Sequence, residues 1–551
     1  MVRALFVLAG LFFAVSLGAA QPPQPQTPPR DNTQAAQPPA TAILRGHVVA
    51  ADSGQPLRKA QVRIFSPELR ENRLATADAD GKYEFKDVKA GRYTVSASKG
   101  SYVGLSYGQT RAFEQGKPLE ILAGQTVEKV DFALPHGAII TGRVIDEFGE
   151  PLPDAMVSVQ RHQNIGGQKR LVPAGRTATT NDIGEFRLFA IPPGQYYLQV
   201  SLRPMGMPAD TDDRSGYAPA YFPGTSNLAE AQRVTVRLGQ VISDMNMALL
   251  PIRTARITGT AVDSQGRPLS GGVMAFPKSD SMVMMFGPPA QIKPDGSFNL
   301  GGLTPGDYVV QTSGPPGSDY ASIDLTINGD DVTGVRLVAA PPLTVAGRLI
   351  VDAGAAQSVQ TSSLRIMITP VQVGTPNFGG SGPAPVNDDL TFEAKGRPGR
   401  MRLILANPMP GWAIRAVRYR GVDVTDTLEL RAGESIADVE VELTNRLTDI
   451  SGLVTTAKGE SVKDYTVVVF PQDRDKWTVA RYLRLSRPDQ DGRYKVNGLP
   501  PGEYHVIALD YVDSTEWSDP EFLDGVRSKA ASVTIGEGEV KSVDLRITSG
   551  S

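Results

Sequence analysis

Residues 491–504 read Asp-Gly-Arg-Tyr-Lys-Val-Asn-Gly-Leu-Pro-Pro-Gly-Glu-Tyr, and this pattern of two turn glycines ten positions apart recurs along the chain. The glycine pairs are Gly81/Gly91, Gly184/Gly194, Gly296/Gly306 and Gly492/Gly502, each followed by a tyrosine: Tyr93, Tyr196, Tyr308 and Tyr504. The glycine of Asp-Gly can take the positive φ of a tight turn, and Pro-Gly is typical of a type II turn with an αL glycine. Because apolar residues alternate on both sides of the second turn, the pattern predicts a β-hairpin with its apolar side chains on one face.

Each occurrence of this pattern belongs to a longer repeat, which begins with a strand containing a glycine. These glycines are Gly46, Gly142, Gly259, Gly347 and Gly452. About seven short strands per repeat, separated by Gly and Pro turns and without helical periodicity, predict an all-β chain of five tandem Greek-key β-sandwich domains, Ig-like or transthyretin-like. The expected domains are residues 43–136, 137–252, 253–340, 341–446 and 447–551.

The fourth repeat is degenerate, since Leu390 replaces the first turn glycine and Met401 the tyrosine. The joins between repeats are short and contain proline, which favours an elongated array of domains in line, a rod on the order of 150 Å long.

Composition sets limits on the class of protein. A chain of 551 residues with 40% hydrophobic residues can fill several domain cores. Its 56 basic and 59 acidic residues leave no excess of positive charge, which argues against nucleic acid as a partner. Cysteine is absent, so each domain is expected to be stabilised by its own core without disulfides.

The N-terminus has the pattern of a targeting segment. Arg3 precedes an apolar run from Ala4 to Leu17, and small residues follow to Ala20. The pattern predicts a secretory signal peptide over residues 1–20, with an uncleaved anchor helix as the alternative. Residues 21–42 are rich in Pro and Gln and predict an extended, unstructured linker. We therefore expect an exported protein, periplasmic, extracellular or on the cell surface, with no transmembrane segment after signal cleavage.

The repeat motifs also resemble a known family. The motifs are Gly-Xaa-Val, then Gly-Xaa-Pro-Leu as in residues 149–152, then the two-glycine pattern. Their order is similar to that of the carboxypeptidase regulatory-like domain, a transthyretin-like module with a carbohydrate-binding-like fold. In that family the domain is an accessory module, and its wider fold group includes carbohydrate-binding modules. The resemblance implies a non-catalytic binding or scaffold protein of the cell envelope, with a protein or glycan partner.

Catalytic and metal-binding patterns are weak. A zinc carboxypeptidase uses His-Xaa-Xaa-Glu, but none of His47, His136, His162 and His505 has a glutamate at that spacing. No Gly-Xaa-Ser-Xaa-Gly motif is present either. We predict no enzyme activity, no catalytic or metal site and no cofactor. Calcium at the Asp-Xaa-Asp-Gly turns, residues 78–81 and 489–492, is an alternative to their ordinary role as turns.

Binding is expected in the variable loops 161–176, 279–289, 371–387 and 473–487. The last of these carries most of the candidate ligand-binding residues, and two further tryptophans complete the set: Trp477, Arg474, Lys476, Arg481, Tyr482, Arg484, Trp412 and Trp517. Exposed aromatic rings there could stack on sugar, whereas a solvated basic loop is the alternative interpretation.

Two further sets of residues leave alternatives open. The repeated tyrosines could also stack on sugar, although a core position with the hydroxyl bonded to backbone is favoured. The loop 279–289, with Met282, Met284, Met285 and Phe286, predicts either an adaptable protein contact or a cover for its own sandwich. The alternative function is therefore a carbohydrate-binding protein that uses loop aromatics of the C-terminal repeats.

Overall fold

The computed structural model describes residues 41–202, 215–278, 289–315, 317–352, 359, 361–371 and 382–549. Within these ranges, one α-helix and four short 3-10 helices accompany a chain that is otherwise strand and loop. The predicted signal peptide lies outside the described residues, as do residues 21–40 of the linker, the methionine-rich segment 279–288 and residues 372–381. Ala42, assigned to the linker from the sequence, is buried in the first strand.

The first repeat forms two facing sheets. Its strands are β1 (Ala42–Ala50), β2 (Gln61–Ser66), β3 (Glu71–Thr76), β4 (Lys82–Val88), β5 (Gly91–Ser98), β6 (Leu105–Ser106), β7 (Leu119–Ile121), β8 (Thr126–Val127) and β9 (Phe132–Leu134). In one sheet β1 pairs antiparallel with β4 and parallel with β8 and β9. In the other sheet β2 lies between β3 and β5, and β5 also pairs with β6 and β7.

The second repeat repeats this plan with a long β-hairpin at one edge. Its strands are β10 (Ala138–Ile145), β11 (Met156–Ile165), β12 (Gln168–Thr179), β13 (Glu185–Ile191), β14 (Gly194–Ser201), β15 (Ser215–Tyr217), β16 (Ala220–Tyr221), β17 (Arg233–Val236), β18 (Val241–Ile242), β19 (Met247–Ala248) and β20 (Pro251–Arg253), with a 3-10 helix at Leu228–Glu230. Residues 161–176, expected to be a loop, are mostly the paired strands β11 and β12.

In the third and fourth repeats one long strand pairs parallel with the first strand, where the first repeat has the two short strands β8 and β9. Strands of the third are β21 (Ala255–Val262), β22 (Gly272–Pro277), β23 (Ala290–Gln291), β24 (Ser297–Leu303), β25 (Gly306–Ser313), β26 (Ser322–Ile327) and β27 (Val332–Val338). Those of the fourth are β28 (Leu343–Val351), β29 (Arg365–Pro370), β30 (Ala384–Pro385), β31 (Thr391–Gly396), β32 (Gly399–Leu405), β33 (Ala413–Tyr419), β34 (Val422–Asp423), β35 (Leu428–Leu430) and β36 (Ile436–Thr444), with a 3-10 helix at Thr361–Ser363. The first strand pairs parallel with the last in both repeats.

The fifth repeat contains the described α-helix. Its elements are β37 (Asp449–Thr455), β38 (Ser461–Val462), β39 (Thr466–Pro471), 3-10 helices at Arg474–Lys476 and Ala480–Tyr482, β40 (Arg484–Ser486), β41 (Arg493–Asn497), β42 (Gly502–Leu509), α1 (Pro520–Arg527), β43 (Ala531–Ile535), β44 (Val540–Ser542) and β45 (Leu545–Thr548). The prediction of an all-β chain made of β-sandwiches is confirmed. Five of the clusters of buried apolar residues each draw their buried members from one repeat.

The two-glycine pattern is a corner between sheets, so the predicted hairpin is wrong. In the first repeat β4 pairs with β1 and β5 pairs with β2, and the turn between β4 and β5 carries the chain from one sheet to the other. The αL assignment for the second glycine is wrong as well, because Gly91, Gly306 and Gly502 have φ of 153°, 150° and 158°. These glycines are the first residues of their strands, at a positive φ that lies outside the αL region and that residues with a side chain rarely adopt.

The tyrosine after each corner is buried, and its hydroxyl binds the carbonyl four residues earlier. Tyr93, Tyr196, Tyr308 and Tyr504 are 1–6% exposed. Their hydroxyls donate to the carbonyls of Lys89 at 3.0 Å, Pro192 at 2.8 Å, Thr304 at 2.8 Å and Pro500 at 2.7 Å. The favoured interpretation, core tyrosines whose hydroxyls bond to backbone, is confirmed for all four.

The glycine of each first strand is required by a close approach of backbone. A Cβ on Gly46 would overlap the carbonyl oxygen of Val130, which precedes β9. The same overlap arises at Gly142 with Met245, Gly259 with Val335, Gly347 with Val439 and Gly452 with Val543. These five glycines therefore allow the first and last strands of each repeat to lie side by side.

We expect Gly46→Ala to destabilise the first repeat by about 3 kcal/mol, because an added methyl group must displace the backbone at Val130. Gly100→Ala is the matched control, since a Cβ there meets nothing within 4 Å. Urea unfolding followed by hydrogen exchange of β1 amides gives the comparison. Equal stability of the two variants would contradict the assignment.

Candidate functional site

The predicted binding loop 473–487 contains a buried tryptophan. Trp477 is 3% exposed, and its indole N–H donates to the carbonyl of Pro471 at 2.7 Å. Its ring meets that of Phe470 edge-on at 5.6 Å. Since a sugar needs an open ring face, the expectation that Trp477 presents one is wrong.

Trp477 is buried because the fifth repeat has a second apolar cluster on the outer face of one sheet. Val468, Phe470, Ile507 and Leu509 of β39 and β42 contribute to this cluster. Helix α1 covers it with Leu523 and Val526. The helix begins after Asp519, whose side chain accepts from Glu521 N–H, and Pro520 occupies its first turn.

The basic residues near Trp477 bind groups of their own repeat. Arg474 pairs with Asp524 of α1, and its guanidinium lies 5.2 Å from the centre of the Trp477 ring. Lys476 pairs with Asp473 at 3.3 Å. Arg484 donates to four backbone carbonyls at 2.8–3.2 Å, those of Ala480, Arg481, Leu483 and Gly498. These side chains hold the loop in place.

Two other candidates, Arg481 and Tyr482, contact the fourth repeat. The Tyr482 hydroxyl donates to an Asp426 carboxylate oxygen at 3.0 Å, and Arg481 lies 2.9 Å from the other oxygen. Of the remaining tryptophans, Trp412 packs on the core of the fourth repeat and Trp517 on the second cluster of the fifth. The structure therefore does not bring the eight candidates together as one surface, and ligand binding by them stays a prediction.

The loop ends in a buried ion pair that joins the first and fifth repeats. The Arg487 side chain is fully buried and pairs with Glu114 of the first repeat, whose side chain is 1% exposed. Arg487 also lies 2.5 Å from Asp464, which in turn lies 3.0 Å from Lys117 of the first repeat. Sequence reasoning missed this group, because nothing in the motif spacing relates residues about 370 positions apart.

The first-repeat side of this contact is a segment between β6 and β7, residues 107–117, which we call the arm. The Tyr511 hydroxyl of the fifth repeat donates to the Ala112 carbonyl at 2.9 Å. Ser514 N–H donates to the Phe113 carbonyl at 2.8 Å. The fifth repeat thus binds the backbone of the arm as well as its side chains.

The second repeat joins the same group through the β11–β12 hairpin. Arg161 pairs with Asp513 at 2.8 Å, and its guanidinium lies 3.7 Å from the centre of the Phe113 ring. Asn164 N–H donates to the Thr515 carbonyl at 3.2 Å. Domains arranged in line would contact only their neighbours in sequence. Because the fifth repeat lies against the first and second, the expected elongated array is not observed at that repeat.

One cleft lies beside the arm, and a second lies on the second repeat. One, of about 430 Å³, separates the first and second repeats and is lined by arm residues and by Pro192, Pro193 and Leu238. The other, of about 780 Å³, is an open polar surface of the second repeat around Arg143, Glu185 and Arg187.

The Asp-Gly turns use their carboxylates locally. One oxygen of Asp78 accepts from Asp80 and Lys82 N–H groups, and Asp489 does the same with Asp491 and Arg493. Within the described ranges, no group of three or more His, Cys, Asp or Glu side chains could hold a metal ion. No helix there is long and apolar enough to cross a membrane.

The sequence matches the family model of the carboxypeptidase regulatory-like domain at residues 43–135 and again at residues 139–249. The first two repeats are therefore similar to carboxypeptidase regulatory-like domains. The match covers two consecutive units, so the predicted tandem arrangement of these domains is confirmed there. No curated protein matches the chain.

Solved structures similar to the chain include bacterial pilins. GBS52, a minor pilin of Streptococcus agalactiae, is 11% identical with a TM-score of 0.22, and the match covers 38% of this chain and 97% of the pilin. BcpA, the major pilin of Bacillus cereus, is 13% identical with a TM-score of 0.14, and the match covers 54% of this chain and 99% of the pilin. At these scores the likeness carries no functional argument.

We expect Trp477→Ala to destabilise the fifth repeat by about 3–5 kcal/mol, because it empties the second apolar cluster. Thr478→Ala, at an exposed neighbour, should change stability by less than about 0.5 kcal/mol. Thermal unfolding of both variants checks this. Unchanged melting of Trp477→Ala together with loss of glycan binding would restore the ligand-binding interpretation.

Stability should fall in alkali because buried tyrosines resist ionisation. Burial raises the pKa of Tyr511 to about 12 and also raises the pKa of Tyr196 and Tyr504. A raised pKa means that these groups stabilise the fold fully below the unfolded-state pKa of about 10, and lose that contribution as pH rises through the folded-state pKa. The urea midpoint should therefore decrease above about pH 10. A midpoint independent of pH there would contradict this.

Proposed function

We propose that the chain is an exported, non-catalytic scaffold protein of the cell envelope, located in the periplasm, outside the cell or on the cell surface. One observation carries this proposal. The loop 473–487, in which ligand binding was expected, contacts the fourth repeat through Tyr482 and the first through Arg487. Variable loops that in a binding protein would face a ligand are used here to join repeats.

The regulatory-like domains support a non-catalytic role. In an enzyme that contains such a domain, the catalytic centre lies elsewhere in the chain. Here the strands of the five repeats extend from Ala42 to Thr548. We therefore propose that the repeats bind a protein or glycan of the envelope. We propose that this partner binds the outer faces of the first and second repeats.

Cell fractionation tests the proposed location. The full chain carrying a C-terminal tag should appear in the exported fraction, and deletion of residues 1–20 should leave it in the cytoplasm. N-terminal sequencing of the exported form distinguishes cleavage after Ala20 from an uncleaved anchor. A full-length cytoplasmic pool identical for the two forms would contradict export.

A further inference from the structure

Glu114 of the arm binds in two directions. One carboxylate oxygen accepts from the backbone N–H groups of Thr110 at 2.9 Å and Arg111 at 3.3 Å, and from the Thr110 hydroxyl at 3.1 Å. The other oxygen pairs with Arg487 of the fifth repeat. The buried side chain of Glu114 therefore both stabilises the turn of the arm and forms an ion pair with the fifth repeat.

Phe113, the neighbouring residue, has a backbone conformation that is costly for a bulky side chain. Its φ is 57°, in the left-handed region that favours glycine. Its ring packs on the core of the second repeat and meets Tyr196 edge-on at 6.4 Å. Its carbonyl accepts from Ser514 of the fifth repeat at 2.8 Å. Contacts from two other repeats thus hold the residue in this conformation.

The two sides of the arm are bound by different kinds of interaction. Toward the second repeat the contact is apolar, through the Phe113 ring. Toward the fifth repeat it consists of ion pairs, hydrogen bonds and a cation–π contact, in which the Arg111 guanidinium lies 5.2 Å from the centre of the Tyr511 ring. Among the described residues, no cluster of buried apolar side chains includes both the fifth repeat and the first two. Polar contacts exchange for water at small net cost, whereas separation of the apolar contact exposes hydrocarbon. The fifth repeat is therefore the side that can separate.

We propose that the arm is a two-state segment: docking of the fifth repeat sets its conformation through Glu114, and undocking frees it and opens the cleft between the first two repeats. Arg111, Ala112 and Phe113 form one wall of that 430 Å³ cleft. Without Arg487 and Ser514 on its outer side, the arm loses one of the two sets of contacts that hold Phe113 at positive φ, and only the packing of its ring on the second repeat remains. The last repeat of the chain thus controls access to a cleft formed by the first two.

Charge substitutions distinguish an arm whose conformation depends on docking of the fifth repeat from an arm whose conformation does not. Glu114→Gln keeps an oxygen for the Thr110 and Arg111 N–H groups but leaves the buried Arg487 without its buried partner. Arg487→Met leaves Glu114 buried without a counter-charge. Either change opposes docking, because the remaining charge loses its buried partner, and in Glu114→Gln only the half-exposed Asp464 still pairs with Arg487. The double variant removes both charges of the buried pair and restores a neutral contact.

Two measurements on the full chain test the proposal. Hydrogen exchange by mass spectrometry follows the arm, and we expect its amides to exchange about 10-fold faster or more in either single variant. Spin labels on Lys86→Cys and Lys529→Cys report docking, and they attach only there because the chain has no cysteine. The label distance should broaden in the single variants, and both signals should return toward the wild type in the double variant.

Arg415→Gln is the matched control, since it breaks an ion pair of the fourth repeat with Glu537 of the fifth and does not touch the arm. Its arm exchange should equal that of the wild type. Exchange of β1 and β10 amides shows whether each variant is folded. Should a charge variant unfold, Ser514→Pro replaces it, because proline removes the N–H donor to Phe113 and keeps every charge. Separated labels with unchanged arm exchange, or unchanged labels in every variant, would overturn the proposal.

Discussion

The approach of one carbonyl oxygen to one glycine determines the architecture of every repeat. Strands β1 and β9 run parallel, and the Val130 carbonyl occupies the space that a side chain on Gly46 would fill. In the first, second, third and fourth repeats the residue before this carbonyl has positive φ: Lys129, Asp244, Gly334 and Asp438. This bulge directs the carbonyl inward, and in the first and fifth repeats a tyrosine hydroxyl donates to it, from Tyr83 at 2.5 Å and Tyr494 at 2.6 Å. Closure of the sandwich depends on this contact, because it joins the two ends of the repeat.

The sequence predicts these positions well, since each is marked by a residue type with one physical role. Glycine is required where no Cβ fits, and tyrosine where a buried ring needs a nearby acceptor for its hydroxyl. The pairing of strands is harder to predict. A spacing of ten positions between two glycines fits a hairpin and a corner between sheets equally well, because both place the apolar side chains of β4 and β5 toward one core.

The candidate site was less predictable for a different reason. Trp477, with four basic residues nearby, has the composition of an exposed basic loop, and only the presence of α1 more than 40 residues later shows that the ring is covered. Likewise, the sequence around Arg487 does not distinguish it from other arginines, and only the folded arm places Glu114 next to it. Contacts between repeats lack the periodicity that marks strands, so local pattern cannot reveal them.

Three described segments that distinguish individual repeats lie where the repeats meet. They are the arm in the first repeat, the β11–β12 hairpin in the second and residues 510–530 around α1 in the fifth, and all three contribute to the group around Phe113 and Arg487. A stack of identical units would need the same interface at every join. Here the sandwich is constant and the inserted segments differ, which lets one repeat recognise two others that are distant in sequence. The specificity of this contact arises from buried charges, because Glu114 of the first repeat joins Asp464 of the fifth in offsetting the desolvation of Arg487.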